Sequence, residues 1–224
     1  MSPYAPLDSL GATGAGPLTV RPLVLAAGKG LRFGGGKLLA SYRGRPLLSH
    51  VLDVVRAACE RGILKGGCAV VSAEDEDSRA LVETAGIEPV LNDAPSKGLS
   101  HSLQLGLATL ERRKPGEPYA GGALVFLADQ PLVRLGVIEE LVAAWRAGDA
   151  GIFRPRYAAR PDTPGHPVLL NRSVWHLAHQ LDGDHGFAGL AEHSSVRVVT
   201  LDVPGDNPDI DTPADLQALE EPTR

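Results

Sequence analysis

The chain has 224 residues, 43% of them hydrophobic and 22% charged, with a net charge of −5. That length and mix suit one α/β domain, and the acidic balance argues against a nucleic-acid partner. Two cysteines, Cys59 and Cys68, set no disulfide framework and imply a reducing, cytoplasmic setting; no apolar run approaches the ~20 residues that span a bilayer.

Residues 1–19 hold Gly, Pro and Ser with neither a basic start nor an apolar core, so they read as a flexible tail and not as a signal peptide. Val20–Ala26 reads as a buried parallel strand, and a glycine-rich segment follows it to Lys37. A dinucleotide-binding fingerprint needs glycine where Phe33 stands. A P-loop needs glycine where Leu31 stands, and Ser or Thr where Leu38 follows the lysine. What remains is Leu-Ala-Ala-Gly-x-Gly-x-Arg-x-Gly-x-x-Lys, beginning at Leu25. Its glycines permit close approach, its backbone N–H groups can form an anion nest, and Arg32 and Lys37 add charge. It therefore reads as a phosphate-binding loop in preference to a plain surface loop, and it resembles the signature of nucleoside-triphosphate transferases.

Beyond the loop, Pro46 opens a helix with Leu47, Leu48, Val51, Leu52, Val55 and Cys59 on one stripe. A strand over Cys68–Ser72, a helix over Asp75–Ala85 and a strand over Ile87–Leu91 follow. Next come a one-faced helix over Leu99–Leu110, a strand over Gly122–Leu127 and a helix over Arg134–Arg146. Such alternation implies a parallel sheet with helices on both faces, with ligands beyond the carboxyl ends of its strands. The loop after Val20–Ala26 and Ala128-Asp129-Gln130-Pro131 after Gly122–Leu127 should then open onto one crevice. From Gly148 the pattern breaks up, with prolines at 155, 161, 164 and 167, and it reads as extended strands and loops forming a lid or acceptor-binding lobe. Thr212-Pro213-Ala214-Asp215 is a capping-box start for a last helix through Leu219.

Asp129, directly after a buried strand, is placed to hold magnesium with phosphate oxygens and water; the competing reading is a turn-capping aspartate. Alternation puts Asp209 and Asp211 on one side of a short extended segment with Ile210 turned inward, and Asp211 is the preferred second ligand. Gly98 opens the Leu99–Leu110 helix, whose first amides can meet a polar ligand; Ser100 and Ser102 can read a base edge or cap the helix. His176 and His179, with no other ligand type nearby in sequence, read as helix surface and not as a zinc site.

Six segments together resemble the molybdenum cofactor cytidylyltransferases, within the larger group of molybdopterin and sugar-nucleotide transferases. They are residues 25–37, Gly98–Leu103, Asp129-Gln130-Pro131, Gly165-His166-Pro167-Val168-Leu169, Leu181–Gly186 and Asp209–Pro213. The resemblance runs from about residue 20 to 219. Leu25-Ala26-Ala27-Gly28 favours the cytidylyl branch, because guanylyl enzymes usually read Leu-Ala-Gly-Gly. Three positions depart from the family: Ala128 for glycine, Phe33 for methionine, and Phe187-Ala188 where Ala-Arg is usual.

The resemblance implies a three-layer α/β/α, Rossmann-like, mostly parallel sheet of the nucleotide-diphospho-sugar transferase type. It implies one domain over 20–219, divided into a nucleotide-binding half (20–147) and an acceptor-binding half (148–219). The implied reaction moves CMP from CTP to molybdenum-loaded molybdopterin and releases pyrophosphate, with a molybdenum hydroxylase receiving the product. Mg2+ would sit on Asp129 and Asp211, and the triphosphate on Lys37, Arg32 and the loop amides. The nucleotide would lie along Leu25, Ala26, Ala27, Gly28, Gly30, Gly98, Ser100 and Ser102, with the acceptor near His166 and Asp184. Guanylyl transfer to the same acceptor, nucleotidyl transfer to a sugar phosphate and non-catalytic carriage of the cofactor are the alternatives.

Overall fold

The computed structural model describes residues 18–28, 30–112, 118–184, 189–191 and 195–220. The expected tail therefore lies almost wholly outside the described residues, as do Lys29 and the departure at Phe187-Ala188.

β1 (Thr19–Ala26) is central, with β4 (Cys68–Ser72) on one side and β6 (Ala120–Leu127) on the other, both parallel to it. β5 (Glu88–Asn92) extends the sheet beyond β4, again in parallel. Past β6 come β8 (Val168–Asn171), antiparallel to both neighbours, then β7 (Ile152–Tyr157) and β9 (Val198–Val203), which are parallel to each other. The seven-strand order is β5-β4-β1-β6-β8-β7-β9. The stretch after Gly148, read as extended strands and loops forming a lid or acceptor-binding lobe, contributes three strands to the same sheet. Its nine-residue 3-10 helix, Arg172–Gln180, was not foreseen in a segment read as strands and loops. No proline follows Pro167 there, and Val174, Leu177 and Ala178 recur at helical spacing.

Strand alternation builds the three layers. Val20, Val24 and Ala26 of β1 face one core with α1 (Leu47–Glu60), α2 (Glu76–Thr84) and α4 (Leu135–Ala147). Leu23 and Leu25 face the other core with α3 (Leu99–Glu111) and the 3-10 helix. A third, small cluster sits beside the segments that follow β1 and β6. The β2–β3 hairpin (Ser41–Tyr42 and Arg45–Pro46) brings Tyr42 against Leu47 and Ile210, with Phe33 and Leu216 of α5 (Pro213–Glu220) packed on them. That cluster ties the glycine loop to the C-terminal segment. The capping box forms as read: the Asp215 amide donates to Thr212 Oγ1 and the Thr212 amide to Asp215 Oδ2. The chain leaves β1 towards β4 and β5 and then returns to β6, so the β1–β6 junction is the point where strand order reverses, the place where open α/β sheets bind ligands. No helix among the described residues is long and apolar enough to cross a membrane, and both cysteines are free thiols.

Candidate active site

A crevice of about 870 Å3 opens beyond the carboxyl ends of β1 and β6. Among the residues singled out in the sequence, Leu25, Ala26, Ala27, Gly28, Gly30, Arg32, Lys37, Gly98, Ser102, Asp129, Asp184 and Asp211 line it. Ser100 and His166 do not. A volume of this size suits a nucleotide-sized ligand.

The loop after β1 closes on itself in two short 3-10 turns, Leu31–Phe33 and Lys37–Leu39. Gly30 has φ of 55°, and a Cβ there would stand 3.0 Å from Lys37 Cβ, so glycine lets the lysine stem pack directly against the loop start. The amides of Phe33 and Gly35 donate to the Gly30 carbonyl and that of Gly34 to the Leu31 carbonyl. The anion nest expected along the whole loop is therefore narrower, because tight turns consume its later donors. Its crevice face is the early backbone around Ala27, Gly28 and Gly30, with the Arg32 and Lys37 side chains.

Lys37 is the hub. Its Nζ lies 2.5 Å from Asp129 Oδ2 and 3.3 Å from Asp211 Oδ1, while Arg32 Nη1 lies 2.9 Å from Asp211 Oδ2. Burial pulls the ammonium pKa down, but the Asp129 charge and hydrogen bond, reinforced by Asp211, outweigh it and hold Lys37 above the ordinary lysine value. The lysine side chain is 10% exposed and that of Arg32 79%, so the inner pair is shielded and the outer one screened.

Asp129 owes its place to β6: the Ala128 amide donates to the Leu25 carbonyl at the end of β1, and the chain then turns. Asp211 arrives by a longer route. Asn207, buried, donates through Nδ2 to Gln130 Oε1 and the His166 carbonyl and accepts from the Leu132 amide at Oδ1. Gln130, also buried, donates to Asp209 Oδ1, and the Ile210 amide donates to the Asp129 carbonyl. This clamp separates two carboxylates that alternation alone placed together: Asp209 pairs with Gln130, and Asp211 enters the crevice. Sequence reading missed Gln130 and Asn207 as positioning residues. The available signal was Gln130 directly beside Asp129 and Asn207 two residues before Asp209.

At the other wall, Gly98 caps α3 without a side-chain bond. Its φ is 85°, and a Cβ would come within 2.5 Å of the Gly183 backbone, so the 183–184 turn rests directly on the helix start. Asp184 Oδ1 accepts from the Leu99 amide at 3.1 Å, and the Gly183 carbonyl accepts from the Ser100 amide at 3.1 Å. Two amides expected to meet a ligand are thus already bonded, and neither serine caps the helix. Ser102 lines the crevice and its hydroxyl accepts from Asn92 Nδ2; Ser100 is buried beneath.

His166 is half-buried as a residue but its Nε2 is shut off from solvent. Burial pushes its pKa down to about 4 against the raising influence of Asp129. Its carbonyl, bonded by Tyr157 Oη and Asn207, serves the clamp. His176 and His179 lie exposed on the 3-10 helix.

Two carboxylate oxygens converging on one cation form a donor set that suits Mg2+, whose remaining positions are normally filled by phosphates and water. Among the described residues no cluster of three or more His, Cys, Asp or Glu side chains forms an all-protein cage. The arrangement therefore fits a metal that arrives together with phosphate.

Known proteins resemble this chain over most of its length. The bifunctional protein GlmU of Mycobacterium tuberculosis is 32% identical over 139 residues, 58% of this chain and 26% of GlmU. The chain thus spans about a quarter of the curated relatives it matches. The crystal structure of Rv0371c from M. tuberculosis H37Rv superposes with a TM-score of 0.76 and 29% identity, covering 92% of this chain and all of that one. A second structure of Rv0371c is a manganese complex, with 28% identity, a TM-score of 0.72 and coverage of 90% and 97%. Molybdopterin-guanine dinucleotide biosynthesis protein A from Archaeoglobus fulgidus shares the fold, with a TM-score of 0.60, 20% identity and coverage of 89% and 96%. The family model of the MobA-like NTP transferase domain matches residues 22–199, and the chain belongs to that family.

Proposed function

We propose that this chain is a cytoplasmic, magnesium-dependent nucleotidyltransferase that moves CMP from CTP to the terminal phosphate of molybdenum-loaded molybdopterin. The observation that carries the reading is the convergence of Asp129, Asp211, Arg32 and Lys37 at the β1–β6 switch point, on the crevice edged by the Gly28–Gly30 backbone. Family membership supports the reaction class. The choice of cytosine rests on Leu25-Ala26-Ala27-Gly28, where Ala27 leaves less room against the backbone than glycine does.

In this reading an acceptor phosphate oxygen attacks the α-phosphorus of CTP, the new P–O bond forms, and the bond to the bridging α,β-oxygen breaks. The electron pair leaves on pyrophosphate. The acceptor phosphate, with a second pKa of about 6, is largely ionised at neutral pH, so no general base is needed. Lys37 and Arg32 stabilise the charge gathering on the departing pyrophosphate, and the crevice wall orients the nucleotide for in-line attack. Bound Mg2+ would supply further charge neutralisation across the phosphates from Asp129 and Asp211. Asp184 and the α3 start form the wall opposite, and the acceptor would enter over the 148–219 half before passing as product to a molybdenum hydroxylase.

Pyrophosphate release with CTP, GTP and UTP, each with and without molybdenum-loaded molybdopterin or a sugar phosphate, tests the assignment. Release with CTP that depends on molybdopterin is expected. Release with GTP moves the chain to guanylyl transfer, release with a sugar phosphate changes the acceptor, and none at all makes it a carrier.

A further inference from the structure

The same geometry bears on the order in which metal and nucleotide bind. Lys37 Nζ touches Asp129 Oδ2 and Asp211 Oδ1, the lone pairs a divalent cation would need, and Arg32 covers the second oxygen of Asp211. Two carboxylates are thus matched by two cations. A divalent metal entering alone must expel a shielded ammonium and leave the crevice with excess positive charge. Its expulsion breaks both carboxylate contacts of an ammonium whose side chain is only 10% exposed. A metal–triphosphate complex removes both obstacles. The phosphates bring negative charge and accept the ammonium, whose stem stays seated against Gly30 while its outer bonds turn.

We infer that Lys37 is the resident counterion of the Asp129–Asp211 pair, so that divalent metal enters with the nucleotide and not before it. This deepens the proposed function, since it rests on the metal and triphosphate assignments made there. By linkage, whatever nucleotide adds to metal affinity, metal adds to nucleotide affinity.

The test is Mn2+ binding to the metal-free full chain, read as free-ion EPR signal or by calorimetry, with and without α,β-methylene CTP. In the native protein, Mn2+ alone should bind weakly and the analogue should tighten it. Lys37→Ala and Lys37→Gln should bind Mn2+ alone at least about tenfold more tightly than native protein, the scale of one charge interaction near a protein surface. The analogue should then add correspondingly less. Adding Asp129→Asn to Lys37→Ala should abolish the gain. Native binding of Mn2+ alone as tight as with the analogue overturns the inference, as does unchanged affinity in the folded neutral variants or a gain that survives Asp129→Asn. The nucleotide-free arm uses neither CTP nor acceptor, so it fails or succeeds separately from the pyrophosphate-release panel.

Discussion

The two walls that carry charge into the crevice are built in different ways. The glycine loop is a local device: a buried strand ends at Ala26, and within eleven residues the chain has delivered Arg32 and Lys37 through turns held by their own backbone. The 206–211 segment is a tertiary device. It has no regular structure, and Asp211 reaches the crevice because the Asn207 and Asp209 side chains are bonded to Gln130 and the Ile210 amide to the Asp129 carbonyl. A locally closed loop tolerates distant change, whereas a clamped segment inherits every weakness of its clamp.

The largest expected effect lies where the two devices meet. Asp129→Ala should lower pyrophosphate release at least about a thousandfold while the circular dichroism spectrum stays native, since the carboxylate sits at the crevice edge and not in the core. Near-normal turnover in the folded variant would remove the metal role from Asp129. On the local side, Lys37→Ala should lower kcat about a hundredfold, worth roughly 3 kcal/mol. Lys37→Arg should recover only part of it, a planar fork being a poor substitute for a point charge between two carboxylates. A change confined to KM would place Lys37 in uniform binding of nucleotide.

Asn207→Ala sharpens the contrast. It leaves Gln130 Oε1, the His166 carbonyl and the Leu132 amide without their buried partner, so thermal or urea unfolding should show a loss of about 2–3 kcal/mol. The metal concentration needed for half-maximal activity should rise with it. Lys37→Ala, by comparison, should lose less stability, because the two carboxylates it leaves unpaired, 21% and 37% exposed, still reach water. If Asn207→Ala destabilises the chain without altering metal dependence, the clamp holds the fold but does not place Asp211.

The smallest effect is a pH dependence on the clamped side. Burial holds folded His166 near pKa 4, whereas the unfolded histidine titrates near 6.5. Between those values the unfolded chain binds the extra proton, so stability falls as the pH falls through this window. In metal-free protein the step from pH 6.5 to 5 should cost about 2 kcal/mol through this group. His166→Gln should flatten that part of the curve, and an unchanged slope would show that other groups set it.

Much of the architecture was legible because its cause is local. A short apolar run marks β1, and β4 spans Cys68–Ser72 as read. The Leu103, Leu107 and Leu110 stripe marks α3, and Thr212 with Asp215 marks the last helix start. The 3-10 helix over Arg172–Gln180 and the sheet membership of β7, β8 and β9 were not legible. Scattered prolines hide strands whose partners lie elsewhere in the chain.

At the crevice, sequence alone determined the candidates: a strand running into glycines with an arginine and a lysine, an aspartate directly after a second buried strand, and acidic positions before the last helix. Local spacing and charge suffice for these, because each depends on neighbours within a dozen residues. Tertiary structure alone decided their use. It tied Asp209 to Gln130, filled the first α3 amides with the 183–184 turn, kept His166 out of the crevice, and set one lysine against carboxylates 92 and 174 residues away. Side-chain alternation can say which way a residue points relative to its own backbone. Which cation it meets is decided when the sheet brings β1, β6 and the C-terminal segment to one edge, where charge and hydrogen-bond demand must be satisfied together.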